Sequence, residues 1–129
     1  MRSLISRLVS MGKTRVFSTG ATRDTDEGKL EPWGFTSALV EKTFSEYMHE
    51  KRIQSDGQLR DSDNWRRGIP VDSYKHSLSR HILDLRLLLE GFPEEATSKD
   101  IIDVLMAVRF NVDGLAYELL KEELRGAKK

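Results

Sequence analysis

The sequence has no cysteine, only three prolines and no excess charge of either sign. The absence of cysteine excludes disulfide bonds, thiolate zinc sites and cysteine nucleophiles, so we expect a cytoplasmic protein. Because 21 basic residues balance 21 acidic residues, the composition does not favour general binding to polyanions, and nucleic acid is not an expected partner. No apolar run approaches the roughly 20 residues that span a bilayer, so no membrane partner is expected either.

The 129 residues suffice for one domain with a modest core, since 38% are hydrophobic and 33% are charged. Residues 1–15 contain four basic residues and no acidic residue, which is typical of an organellar presequence or of a short basic arm. We predict a basic N-terminal arm over residues 1–15, a helical domain over residues 16–125 and a C-terminal tail over residues 126–129. A bundle this small has reason to bury apolar surface against a second copy, so we expect a homo-oligomer.

Apolar residues recur at helical spacing in three segments, which predicts an all-α fold, a small antiparallel helical bundle without strands. We expect the helices over residues 36–51, 73–90 and 97–125. Turn-forming residues predict a loop over residues 16–33. The polar connection over residues 52–70 is long for so small a domain, and such loops are usually functional or mobile.

The third predicted helix carries two acidic residues among mostly apolar neighbours. Asp100 and Asp103 are three residues apart and therefore lie on the same side, while the residues around them are apolar on nearly every face. A helix that is apolar all round is normally buried, and a buried carboxylate must be paired or must bind a metal. The stretch from Asn111 to Gly114 is the weakest part of this helix, because glycine costs about 1 kcal/mol relative to alanine, and a kink or break is expected there.

The second predicted helix carries a polar stripe at helical spacing, formed by Ser77, Arg80, His81 and Asp84. If His81 and Asp84 face the two aspartates of the third helix, the set would suit an oxygen-preferring divalent cation such as Mg²⁺ or Mn²⁺. Structural roles are the alternatives. Asp100 could favour the positive start of its helix, Asp103 could pair with Arg80, and His81 could be a hydrogen-bonded core residue.

The segment over residues 23–29 is a charged loop with a basic residue at each end. Arg23 could bind phosphate oxygens bidentately and Lys29 could act as a point charge, while Gly28 allows close approach of the backbone. The glycine spacing does not match a Walker loop. The segment is therefore either a phosphate-binding loop or a solvated turn.

Three motifs of the sequence occur in a recognisable order. They are Gly20-x-x-Arg23-Asp24-x-x-x-Gly28-Lys29, Asp63-Asn64-Trp65-x-x-Gly68-Ile69-Pro70 and Tyr74-x-x-Ser77-x-x-Arg80-His81. Their order and spacing resemble the dATP/dGTP diphosphohydrolase N-terminal domain family, which is found largely in phages and is related to MazG-like nucleotide pyrophosphohydrolases. The resemblance covers residues 17–92 well and the third predicted helix only loosely.

The resemblance implies a MazG-like fold and metal-dependent hydrolysis of a purine deoxynucleoside triphosphate, dATP or dGTP, to monophosphate and pyrophosphate. It implies Mg²⁺ or Mn²⁺ held by side chains of two facing helices, and a phage-encoded member would act in the host cell cytoplasm. The implied metal ligands are His81, Asp84, Glu95, Asp100 and Asp103. The implied substrate contacts are Arg23, Lys29 and Arg80 for the phosphates, and Asn64 and Trp65 for the base.

The later part of the sequence departs from this family pattern. Members usually follow the arginine–histidine pair with a tryptophan and a glycine–glutamate pair, and then with two histidines three apart on the next helix. Here Asp100 and Asp103 stand where the histidines are expected, and Glu94 or Glu95 could replace the glutamate. We therefore expect either a hydrolase with an acidic metal site or a non-catalytic structural or interaction protein that retains the fold, and no residue is assigned a catalytic role.

Overall fold

The structure, a computed structural model, describes residues 13–127, and the chain divides into two compact units between Ala38 and Leu39. Most of the predicted N-terminal arm, residues 1–12, and the end of the predicted tail, residues 128–129, lie outside the described residues. The described part is mostly helical with one small sheet, which confirms a helical fold. No helix in residues 13–127 has both the length and the apolar character needed to cross a membrane.

The N-terminal unit contains a short β-hairpin. Strand β1 (Thr14–Val16) pairs antiparallel with strand β2 (Thr22–Asp24), and the turn between them is closed by a hydrogen bond from Phe17 N to Ala21 O at 2.8 Å. The expectation of a bundle without strands is therefore wrong for this segment. The sequence did not predict these strands, because each is only three residues long and exposed throughout. Neither strand therefore shows the alternation of apolar and polar residues that is typical of a half-buried strand.

The second unit is built from three α-helices, as the hydrophobic periodicity predicts. They are α1 (Ala38–Lys51), α2 (Val71–Leu89) and α3 (Ile101–Ala127), with 3₁₀ turns at Asn64–Arg67 and Pro93–Glu95 in the connections. Helix α3 begins later than expected because Asp100 provides the cap: its Oδ1 accepts hydrogen bonds from Ile102 N at 3.0 Å and Asp103 N at 3.2 Å.

Helices α2 and α3 pack side by side in opposite directions. Near the start of α2, the Tyr74 ring lies edge-on to Phe110 of α3, with ring centroids 6.0 Å apart. Near the end of α2, Asp84 Oδ1 accepts a hydrogen bond from Thr97 N at 3.0 Å, just before α3 begins. Because the middle of α3 meets the start of α2 while the residues before α3 meet the later part of α2, the two helices run antiparallel.

Arg109 of α3 contacts two side chains of α1. Arg109 Nη2 lies 2.8 Å from Glu41 Oε1, and its guanidinium carbon lies 4.2 Å from the centroid of the Phe44 ring. The arginine therefore joins a charged and an aromatic side chain of α1 to the middle of α3, in an ion pair combined with a cation–π contact.

Helix α3 runs without interruption through Asn111 and Gly114, so the expected break at this stretch is wrong. Gly114 is buried, and a Cβ atom built there would overlap the ring of Tyr74. Asn111 is also buried and donates from Nδ2 to Ala107 O at 2.8 Å, one turn earlier. The glycine therefore makes room for a neighbouring ring, and helix packing outweighs its low helix propensity.

Candidate functional site

The helical unit contains a cavity of about 500 Å³, a volume within the usual range for small-molecule sites. Its wall is formed by the last two turns of α1, by the connection over residues 52–70 and by residues of α2 and α3. Two hydrogen bonds join Arg52 to Arg60: Arg52 Nε donates to Arg60 O at 2.7 Å, and Arg60 N donates to Arg52 O at 2.8 Å. These bonds fold the connection back against the end of α1.

Three aromatic side chains line this cavity: Tyr47 from α1, Trp65 from the connection and Phe110 from α3. Trp65 is held by Tyr117 in an edge-on contact at 4.8 Å between ring centroids, and by the Arg66 guanidinium at 5.2 Å from its ring. Burial, together with the nearby charge of Asp103, raises the pKa of the Tyr47 phenol, so Tyr47 stays neutral at neutral pH. The wall therefore offers flat apolar surface suited to a planar ring.

Three basic side chains also line the cavity: Lys51, Arg52 and Arg60. None of them forms an ion pair with an acidic side chain in the described part of the chain. Asp61 also lines the cavity, but its carboxylate is paired with Arg67 at 3.1 Å. Among residues 13–127, no acidic side chain therefore neutralises these three cations, which favours an anionic ligand.

His81 and Asn111 add polar atoms to the same cavity. Burial lowers the pKa of His81; the charges of Arg80 and Lys51 act in the same direction, whereas Asp84 opposes them. The imidazole is therefore neutral at neutral pH and can accept a proton or a hydrogen bond. Together with the rings and the cations, these groups make a site for a ligand with a planar ring and negative charge.

The structure brings three of the predicted site residues together, because Asn64, Trp65 and His81 all line the cavity. Arg80 lies at a different surface, a groove formed by α2 and Leu115 of α3, where its Nη2 donates to Ser77 Oγ at 3.1 Å. Arg80 and His81 belong to the same predicted polar stripe of this helix, but only His81 lines the cavity.

The predicted phosphate-binding residues Arg23 and Lys29 belong to the N-terminal unit. Arg23 lies in β2 opposite Arg15, and Lys29 closes a turn by donating from its backbone N to Asp26 O at 3.0 Å. Both side chains are exposed. These contacts agree with the solvated-turn alternative, and no bound phosphate is needed to explain them.

Two of the predicted metal ligands have structural roles. Asp84 is buried and accepts the hydrogen bond from Thr97 N, which fastens the connection between α2 and α3. Asp100 caps α3 with the bonds given above, in agreement with its predicted alternative at the positive start of a helix.

The other predicted ligands do not complete a metal site with them. Glu95 is exposed in the 3₁₀ turn before α3, and Asp103 is exposed on α3 while its charge acts on Tyr47. Within residues 13–127, no three histidine or acidic side chains form a group that could hold a metal ion. The five predicted ligands therefore do not fit one shared Mg²⁺ or Mn²⁺ ion in this conformation.

Several cavity residues were not predicted from the sequence, namely Tyr47, Lys51, Arg52, Phe110 and Asn111. Basic residues at the end of a helix are common because they interact favourably with its dipole, so Lys51 and Arg52 carried no specific signal. The unusual length of the 52–70 connection was the one signal available, and it marked the segment that forms this wall.

No family model matches the chain, and no curated protein or solved structure is detectably similar to it. The function is therefore inferred from the cavity and its side chains, and the family resemblance stays a prediction.

Proposed function

We propose that the cavity binds a purine deoxynucleoside triphosphate. The observation that carries this proposal is that one cavity of suitable volume is lined both by aromatic side chains and by cations that have no acidic partner among the described residues. A nucleotide has a planar base, which can stack on the aromatic side chains. It also has a strongly anionic phosphate chain, which can bind to the basic side chains. The preference for a purine comes from the family resemblance.

In this proposal the base stacks against Trp65, whose ring is already fixed by Tyr117 and Arg66. Stacking on an aromatic side chain contributes about 1–3 kcal/mol per base. The phosphates lie towards Lys51 and Arg60, because arginine binds phosphate oxygens in pairs and lysine acts as a point charge. The side-chain amide of Asn64 is available for the base edge.

We further propose hydrolysis to the monophosphate and pyrophosphate, as the resemblance implies. The neutral imidazole of His81 can accept a proton from an attacking water, which is the role of a general base. The predicted acidic ligands do not form a metal group among the described residues, so the protein group assigned to this step is His81.

A second candidate function is nucleotide binding without hydrolysis, in a structural or interaction protein. The structural roles of Asp84 and Asp100 favour it, because both carboxylates are already used to hold the fold. The two candidates share the cavity and differ only in whether pyrophosphate is released.

Fluorescence of Trp65 tests binding. The chain has two tryptophans, so Trp33→Phe in the N-terminal unit leaves Trp65 as the single reporter. Titration with dATP or dGTP should change this fluorescence, whereas the unphosphorylated nucleosides should bind much more weakly. No response to any deoxynucleoside triphosphate, with calorimetry also silent and the fold confirmed by circular dichroism, would contradict the proposal.

Charge variants locate the phosphates. Lys51→Gln and Arg60→Gln should each weaken binding about tenfold, because a hydrogen bond to a charged group contributes about 1.5–3 kcal/mol. Lys42→Gln is the matched control, since Lys42 lies on the same helix as Lys51, is exposed and does not line the cavity. Equal effects of all three variants would show only general electrostatic attraction.

Pyrophosphate release separates the two candidate functions. Each deoxynucleoside triphosphate is incubated with the protein in the presence of Mg²⁺ or Mn²⁺, and His81→Gln is tested alongside. Release that is lost in His81→Gln while binding persists supports hydrolysis with His81 as the base. Tight binding without release by the unmodified chain supports the second candidate.

A further inference from the structure

One side of helix α3 forms part of the cavity wall. Ala107, Phe110 and Asn111 line the cavity, and their spacing of three and four residues places them on the same side of the helix. Ala107 and Asn111 are only 4% and 5% exposed. Asn111 is therefore a buried polar side chain in a part of the wall that is otherwise apolar.

The side-chain amide of Asn111 is held in one orientation. Its Nδ2 donates to Ala107 O at 2.8 Å. If the amide were rotated by half a turn, Oδ1 would face Ala107 O, and two acceptors do not form a hydrogen bond. The bond therefore keeps Nδ2 against the helix backbone and turns Oδ1 away from that carbonyl.

The oxygen of this amide is open to the cavity. No group among residues 13–127 donates a hydrogen bond to Asn111 Oδ1. In that part of the chain, the side-chain oxygens that are sealed from solvent without a partner are Tyr74 Oη and Glu118 Oε1, and Asn111 Oδ1 is not one of them. Since Asn111 is almost fully buried and lines the cavity, this unpaired oxygen faces the cavity space.

An acceptor in this position requires a hydrogen-bond donor on the ligand. A ligand that covers Oδ1 without donating to it removes the oxygen from water and does not replace the lost hydrogen bond, which weakens binding. Phosphate oxygens are themselves acceptors, and the cations that would hold them belong to the end of α1 and to the 52–70 connection. Trp65, in contrast, is held by Tyr117 of α3. The base, rather than the phosphate chain, is therefore the part of a nucleotide that suits Asn111.

We infer that Asn111 Oδ1 accepts a hydrogen bond from an amino group on the purine ring, which makes Asn111 a specificity-determining residue. Adenine carries such a donor at N6 and guanine at N2. The single acceptor therefore selects purines with an amino group over purines without one. This inference rests on the proposed nucleotide binding and deepens it, because it names the group on the base that the cavity recognises.

Paired nucleotides test the inference, with Trp65 as the reporter in the Trp33→Phe chain. The analogue of dATP without its N6 amino group is compared with dATP, and dITP, which lacks the N2 amino group, is compared with dGTP. For the parent that binds more tightly, loss of the amino group should weaken binding about tenfold. Equal affinities would overturn the inference while nucleotide binding stands, whereas the absence of binding by any triphosphate would overturn both.

Asn111→Leu tests whether this discrimination comes from Asn111. Leucine has a similar size but no acceptor, so the parent and its analogue should bind with affinities that agree to within about twofold. The ratio of the two affinities is the readout, because a variant that only disturbs the wall weakens both nucleotides alike. Asn111→Ala, which is smaller and a good helix former, should equalise them in the same way and covers the case in which leucine does not fit.

Asn64→Leu is the matched control, because Asn64 is the other asparagine of the cavity wall. This variant should preserve the ratio between the parent and its analogue, even where it weakens both. Circular dichroism should show unchanged helix content in each variant that is scored. A ratio that persists in the folded Asn111 variants, or that is lost in Asn64→Leu instead, would overturn the inference.

Discussion

His81 and His76 lie on the same helix but in different surroundings. His76 is exposed, whereas His81 lines the cavity, and burial lowers its pKa below the ordinary value of 6.5. Arg80 and Lys51 add to the lowering, and Asp84 counteracts it. The native state therefore binds fewer protons at this residue than the unfolded chain does when the pH lies between the lowered pKa and 6.5.

We predict that His81 makes the fold less stable in mild acid. Because its native pKa is lowered, the stability is fully present above about pH 6.5 and falls as the pH decreases towards the lowered pKa. Chemical denaturation between about pH 5 and about pH 8 should show this slope, at most about 1.4 kcal/mol per pH unit for one proton. His81→Gln should flatten it, whereas His76→Gln should not; an equal effect of both variants would contradict the assignment.

Some residues of the candidate site could be predicted from their residue type and from the motif in which they occur. Asn64 and Trp65 lie in one motif of the polar connection, and His81 stands among apolar residues; all three line the cavity. The acidic residues were ambiguous, because a carboxylate that caps a helix and one that binds a metal look alike in sequence. Asp100 shows this, since its hydrogen bonds to Ile102 and Asp103 define a cap.

At the scale of elements, the three helices were predictable because each has an apolar side that repeats at helical spacing. Helices α1 and α2 begin within a few residues of the predicted positions. The β-hairpin was not predictable, because strands of three exposed residues lack an apolar side. The continuity of α3 through Gly114 was also missed, since it depends on a ring that another helix supplies.

Gly114→Ala should destabilise the helical unit even though alanine is the better helix former. The added methyl group would overlap the Tyr74 ring, which is only 2% exposed and has little freedom to move. Overpacking of this kind costs about 1–3 kcal/mol, more than the gain of about 1 kcal/mol in helix propensity. Urea denaturation should show a net loss of stability.

Gly126→Ala is the matched control for this prediction. Gly126 lies in the last turn of the same helix, and a Cβ atom there would meet no other atom within 4 Å. This variant should therefore be neutral or slightly stabilising. If both glycine variants change the stability equally, the contact between Gly114 and Tyr74 does not explain the effect.

For the whole molecule, the described part has a small apolar core. Tyr74, Val104, Met106 and Ala107 are its buried apolar side chains, while the leucines at the end of α3 remain about half exposed. Because small units often bury further apolar surface by association, the homo-oligomer expected from the sequence stays a prediction for this chain. The sequence predicts association from the size of the chain, but it does not show which surface a second copy would contact.

If the predicted homo-oligomer forms, thermal unfolding should depend on protein concentration. If unfolding is coupled to separation of the two copies, a hundredfold increase in concentration should raise the midpoint by on the order of 5 °C. A midpoint of the unmodified chain that is independent of concentration would argue against coupled unfolding.

The hydrogen bond between Asp84 and Thr97 has a consequence for the order of folding. It joins α2 to the start of α3 across a short stretch of chain, so this pair can form early, from contacts that are local in sequence. The cavity wall needs the connection over residues 52–70 to fold back onto α1, and it can therefore close later and open separately. A ligand could thus enter while α2 and α3 remain folded, and its binding would slow the opening of the connection.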